Sequence, residues 1–132
     1  MAMLDDIGGY VDTNTSFTLG TDLFLSILPD SPDNCAVILE NGGAPPISTM
    51  GTTNTPQLER PEIQIIVRNT SYSTGRANAE TLFRLLTAVS NATINGNLYH
   101  RIEATSSPEL YERDQSRRSL FSVNFNVIKE LP

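Results

Sequence analysis

The sequence predicts an α+β fold, an antiparallel-rich β-sheet packed by a main helix at about residues 73–90 and a short N-terminal helix. Three observations predict it. Residues 73–90 place Ala79, Leu82, Phe83, Leu86 and Val89 at three- and four-residue steps, which gives one apolar helical stripe. Residues 120–128 alternate Phe121, Val123, Phe125 and Val127 with Ser122, Asn124 and Asn126, the period of a half-buried antiparallel strand. Asn95-Gly96 lies between two β-rich runs, 92–94 and 98–104, and supplies the positive φ angles that a tight hairpin turn requires. At 132 residues the chain is expected to form one domain over 1–132, since domains commonly hold about 100–150 residues.

In chain order, Leu4, Ile7, Tyr10 and Val11 recur at helical spacing. Asp5 and Asp6 fall in the first turn, where the helix dipole favours acids. Gly8 and Gly9 weaken this helix, by about 1 kcal/mol each relative to Ala. It therefore needs a partner, either the core or a neighbouring subunit. Leu23–Leu28 reads as a short strand closed by Pro29, and Cys35–Glu40 as a second. Residues 41–61 are rich in Gly, Pro, Thr and Asn and show no periodicity, so a long loop is expected there. Residues 62–68 set Ile63, Ile65 and Val67 on one face of a strand and Gln64, Ile66 and Arg68 on the other. On the helix that follows, Arg76, Glu80 and Arg84 form a polar face at four-residue steps. The stretch from Ser106 to Ser119 is a polar connection with room for a short strand at Glu109–Glu112.

The formal net charge is −6, which argues against nucleic-acid binding through a basic surface. The charge is unevenly placed. Residues 1–59 carry eight acids and no Lys or Arg, whereas residues 60–132 carry nine bases and seven acids. Eight of the nine bases are Arg, whose planar fork suits pairing with carboxylates at protein surfaces. Two readings follow: pairing between the halves within one chain, or complementary faces on identical subunits.

No set of catalytic groups converges in the sequence. His100 is the only histidine and sits in an alternating strand, where a surface or inter-strand role is expected. Cys35 is the only cysteine and reads as a small buried hydrophobe. No phosphate-cradling loop, nucleophile elbow, zinc motif or calcium loop occurs, so no enzyme activity and no cofactor or metal are expected. No apolar run reaches the roughly 20 residues of a membrane helix. The N-terminus lacks the pattern of a secretory signal, so assembly in a cytoplasm is the expectation.

The segments DIGGYVD, TDLFLSILPDSPDNCAVILENGGAPP, RPEIQIIVRNTSYSTGRANAETLFRLL, NGNLYHRIEA and FSVNFNV, in that order, resemble the tail-terminator or "minor capsid protein" family of tailed bacteriophages. The strand–turn–helix RPEIQIIVRNTSYSTGRANAETLF is the most specific piece. The resemblance implies a structural virion protein at the head–tail junction: a ring, commonly a hexamer, that closes the head-proximal end of the tail tube. The implied partners are copies of the chain, the tail tube protein and a neck or connector protein, with DNA passing through the lumen without specific binding. A head-closure or stopper component, and a cytoplasmic adaptor binding a host protein, are the alternative readings.

A ring needs two unlike faces that meet head to tail. The residues expected at such contacts are Pro45, Pro46, Ile47, Met50, Leu58 and Arg60 from the long loop, with Arg76, Arg117 and Arg118 from the basic half.

Overall fold

The computed structural model describes residues 2–47 and 58–130. The elements are α1 (Met3–Asn14), β1 (Leu23–Leu25), β2 (Cys35–Ile47), β3 (Leu58–Asn69), α2 (Tyr72–Thr87), β4 (Ser90–Ile94), β5 (Asn97–Ala104), β6 (Glu109–Arg113) and β7 (Ser119–Glu130). The sheet runs β1-β2-β3-β7-β5-β4, and β6 also pairs with β7. Every pairing is antiparallel except β1 with β2. The α+β reading therefore holds, with the alternating final strand at the centre of the sheet.

Strand alternation decides what each face buries. Ile38, Ile65 and Val123 lie opposite one another across β2, β3 and β7. With Ile63, Val67, Phe121, Phe125 and Val127 they form the floor of the main core. Both helices cover that face: α1 through Leu4, Ile7 and Val11, and α2 through Ala79, Leu82 and Leu86. The opposite face carries a second, smaller cluster of Val37, Ile66 and Leu120. Because β1 and β2 are parallel, the 26–34 connection must return along the sheet, and it does so over this second face. Leu28 packs there on the small cluster.

Helix α2 opens with Ser71, whose hydroxyl accepts a hydrogen bond from the Thr74 N–H at 3.3 Å, an N-cap that satisfies one otherwise unpaired donor. Asn95 and Gly96 adopt φ values of 52° and 83°, and Ile94 pairs with Asn97 across them. The hairpin is thus the two-residue turn that Asn-Gly favours.

Three boundaries differ from the sequence reading. The main helix ends at Thr87 and not near Ser90; Ala88 caps it and the Val89 N–H bonds back to the Leu86 carbonyl. Val89 is still buried, delivered by the turn and not by the helical stripe. The first strand stops at Leu25, because Ser26 turns the chain with φ of 71°.

The third difference is the largest. The expected loop over 41–61 is an extended hairpin arm for much of its length. β2 continues to Ile47 and β3 begins at Leu58, with Gly43 opposite Pro61, Ala44 opposite Arg60 and Ile47 opposite Leu58. Register shifts between Asn41 and Gly43 and between Ala44 and Ile47 absorb the Gly and Pro residues. Gly43 has φ of 129°, and a Cβ there would run into the Arg60 carbonyl. Residues 48–57, Met50 among them, lie outside the described residues.

Candidate assembly surfaces

The turn after β6 centres on Arg118. Its side chain is 7% exposed, although sequence reasoning placed it on an assembly surface. Its Nε donates to Asp114 Oδ2 at 2.7 Å, Nη1 to the Asp30 carbonyl at 2.7 Å and to Asp33 Oδ1 at 3.1 Å, and Nη2 to Asp30 Oδ1 at 3.1 Å. Arg68 reinforces it, donating to the Pro32 and Asp33 carbonyls at 2.6 and 3.1 Å. Together the two guanidinium groups tie the 29–34 segment to the second sheet face. Arg118 is thus a clamp within the chain.

Partial desolvation pulls the Asp114 carboxyl upward. Hydrogen bonds from the Arg118 N–H and guanidinium, the Arg118 charge and the Ser116 N–H outweigh that and hold it below the ordinary carboxylate value. Burial pushes the nearby Cys35 thiol up, partly offset by Arg68 and Arg118. A thiol held protonated and buried is a packing group.

A second joint ties α1 to the β4–β5 hairpin. Asp6 is 2% exposed and accepts three hydrogen bonds: from Asn95 Nδ2 at 3.0 Å, Asn97 Nδ2 at 2.8 Å and the Tyr99 hydroxyl at 2.8 Å. Burial, followed by the bond to Asp6, pushes the Tyr99 phenol above its ordinary value. Asp5 takes a different role and accepts from the Ala2 N–H at 3.1 Å. Beside this joint lies an open cleft of about 500 Å³, walled by Asp5, Asp6, Gly9, Tyr10, Thr13, Asn14, Leu19, Thr93, Ile94 and Asn95. No local pattern announces this cleft: Leu19 belongs to no periodic segment, and it meets α1 only through the tertiary fold.

The remaining expected contact residues fall in three places. Pro45, Pro46, Ile47, Leu58 and Arg60 belong to the β2–β3 arm; Pro45 is exposed, Leu58 is half-buried, and Arg60 Nε donates to the Pro45 carbonyl at 2.9 Å. Arg76 is held on α2, bonded to Glu80 at 3.2 Å and to the Pro108 carbonyl at 2.7 Å. Arg117 is exposed at the tip of the β6–β7 turn with φ of 64°. His100 approaches Glu130 at 3.4 Å on the sheet surface. Part of the charge asymmetry is therefore used within the chain, since Arg118 pairs with Asp30 and Asp33, and Lys129 with Glu59 at 3.4 Å.

Among the described residues no cluster of His, Cys, Asp and Glu could hold a metal ion. No described helix is long and apolar enough to cross a membrane. The described residues form a sheet-and-helix body with an extended β2–β3 hairpin, a charged turn and an apolar-floored cleft.

The sequence matches the family described as bacteriophage tail terminator protein over residues 10–131. The chain belongs to the bacteriophage tail terminator family and is a structural component of the phage tail. No curated protein sequence matches the chain closely enough to count as a relative.

Proposed function

We propose that this chain forms a ring on the head-proximal end of the tail tube, ends tube polymerisation there, and presents a docking face to the neck or connector. The observation that carries this reading is the family match across residues 10–131. Its role is structural, with no chemistry at any side chain. The geometry supports it in two ways. β2 runs on past β1, which pairs only with Ala36–Ile38, and so leaves a strand edge on which a neighbouring subunit can pair. The net charge of −6 suits a lumen through which DNA must slide, because phosphate neutralisation by Lys and Arg is what retains DNA on a protein.

Deletion of the gene, followed by electron microscopy of the particles produced, tests the proposal. Tails of uncontrolled length are expected. Tails of normal length with leaking heads would instead assign the chain to head closure and overturn it.

A further inference from the structure

We infer that the apolar-floored cleft between α1 and the β4–β5 turn receives the β6–β7 turn of a second copy of the chain, with Arg117 entering the cleft. The inference rests on the ring reading and specifies the contact that would build it.

The cleft has the chemistry of an arginine receptor. Tyr10, Leu19 and Ile94 line it, and Leu19 is 37% exposed. Asp5 and Asp6 stand on its wall. Asp6 is buried and hydrogen-bonded by neutral donors only, and no cation pairs with it among the described residues. Asp6 already accepts three hydrogen bonds, so an incoming guanidinium would add opposite charge beside it and pair with the exposed Asp5 carboxylate. Arginine suits such a site because its apolar stem can lie on hydrophobic and aromatic walls while its fork reaches the carboxylates.

Few cations are free to enter. Arg60, Arg68, Arg76, Arg101, Arg113, Arg118 and Lys129 all bond within the chain. The side chains of Arg84 and Arg117 make no hydrogen bond or ion pair among the described residues, although the Arg117 N–H donates to the Asp114 carbonyl at 2.9 Å. Arg84 lies within α2 between the half-buried Phe83 and Leu85, so it stands less far from the body of the chain than a residue on a turn. Arg117 sits on a projecting turn whose neighbours Gln115 and Ser116 are also exposed. Its own chain cannot deliver it. The turn precedes Ser119 at one end of β7, whereas the cleft adjoins the β4–β5 turn, near the Tyr99–Lys129 pair at the other end. At about 3.3 Å per residue the two are roughly 30 Å apart. One copy's turn can meet only another copy's cleft, and this is a heterologous contact of the kind that closes rings.

The test uses the full chain with purified cognate tail tubes. Arg117→Glu is expected to lower the occupancy of tube ends at least tenfold at equal subunit concentration. Thr13→Lys, which sets a cation on the cleft wall, should restore it in the double variant. Arg117→Gly removes the side chain and relieves the left-handed backbone, so it should melt no lower than the parent while assembling as poorly as Arg117→Glu. In a third arm, Arg117→Cys and Thr13→Cys are combined, and oxidation should give a ladder of covalent oligomers. Rings that form normally with Arg117→Gly, or without any ladder, overturn the inference and leave the ring reading standing. A parent chain that forms no ring on tubes overturns the ring reading, and the contact falls with it.

Discussion

Gly75→Ala should destabilise the protein, although helix propensity alone argues the reverse. Gly75 lies in α2, where replacing Gly by Ala normally gains up to about 1 kcal/mol. A Cβ at this position would stand 2.7 Å from Phe121 Cε2, 3.1 Å from Phe121 Cδ2 and 3.1 Å from Asn69 Cβ. Carbon–carbon contacts are optimal at about 3.5–4.0 Å, so either the helix or the ring must give way. Neither is free to do so. Phe121 is fully buried, and the Tyr72 ring lies 5.4 Å from it. Asn69 is also buried, and its Oδ1 accepts the Ser71 N–H at 2.8 Å at the entrance to α2. Overpacking of this kind costs about 1–3 kcal/mol. The net expectation is a loss of about 1–2 kcal/mol after the propensity gain is offset.

For a chain of this size that loss lowers the melting temperature by about 3–10 °C. Gly9→Ala is the internal control. It lies in α1 with nothing within 4 Å of its added Cβ, so propensity acts alone and should stabilise by up to about 1 kcal/mol. Thermal and urea unfolding, followed by far-ultraviolet circular dichroism, compare the two variants. A Gly75→Ala protein that melts at or above the parent would refute the reasoning, because it would mean that α2 does not lie so close to β7.

The Asp6 joint makes a second prediction. Tyr99→Phe removes one of three donors and should cost about 1–2 kcal/mol, whereas Asp6→Ala leaves a buried hydroxyl unsatisfied and should cost about 2–4 kcal/mol. Urea unfolding that gives equal costs would mean that the carboxylate does not hold α1 to the hairpin. A third prediction concerns acid. The Asp114 carboxyl is held below its usual value of 3.8, so its contribution is fully present above that value and is lost as pH falls through the depressed one. Melting temperatures should therefore fall less steeply with acid below about pH 4 in Asp114→Asn than in the parent, and identical slopes would count against the clamp.

Much of the fold was legible because it is written in local periodicity. The α2 stripe, the Asn95-Gly96 turn and the alternation of β7 each need only a few neighbouring residues to declare themselves. The β2–β3 arm was not legible, since Gly42, Gly43, Pro45 and Pro46 disfavour strands and only pairing with Leu58–Pro61 makes them one. The candidate surfaces were harder still. Adjacent Arg117 and Arg118 read alike in a polar connection, yet one is exposed and the other is buried by carboxylates up to 88 positions away. Asp5 and Asp6 divide in the same manner between a helix end and a buried joint. Neighbours in sequence acquire opposite roles here because burial is set by distant segments.

That division constrains how charge can act in assembly. If the acidic first half and basic second half met as whole faces, association would depend steeply on salt, since many exposed pairs would be screened together. The structure removes most of the cations from such a face. Arg118 and Lys129 already join the two halves within one chain, and Arg76 and Arg101 pair with near neighbours. In the proposed contact Arg117 is the principal charge, set against an apolar floor. Exposed single pairs contribute only about 0–1 kcal/mol, so closure of the proposed ring would draw mainly on buried apolar area and on the repetition of one contact. In that arrangement the arginine selects which surface meets which, and the apolar floor supplies the adhesion.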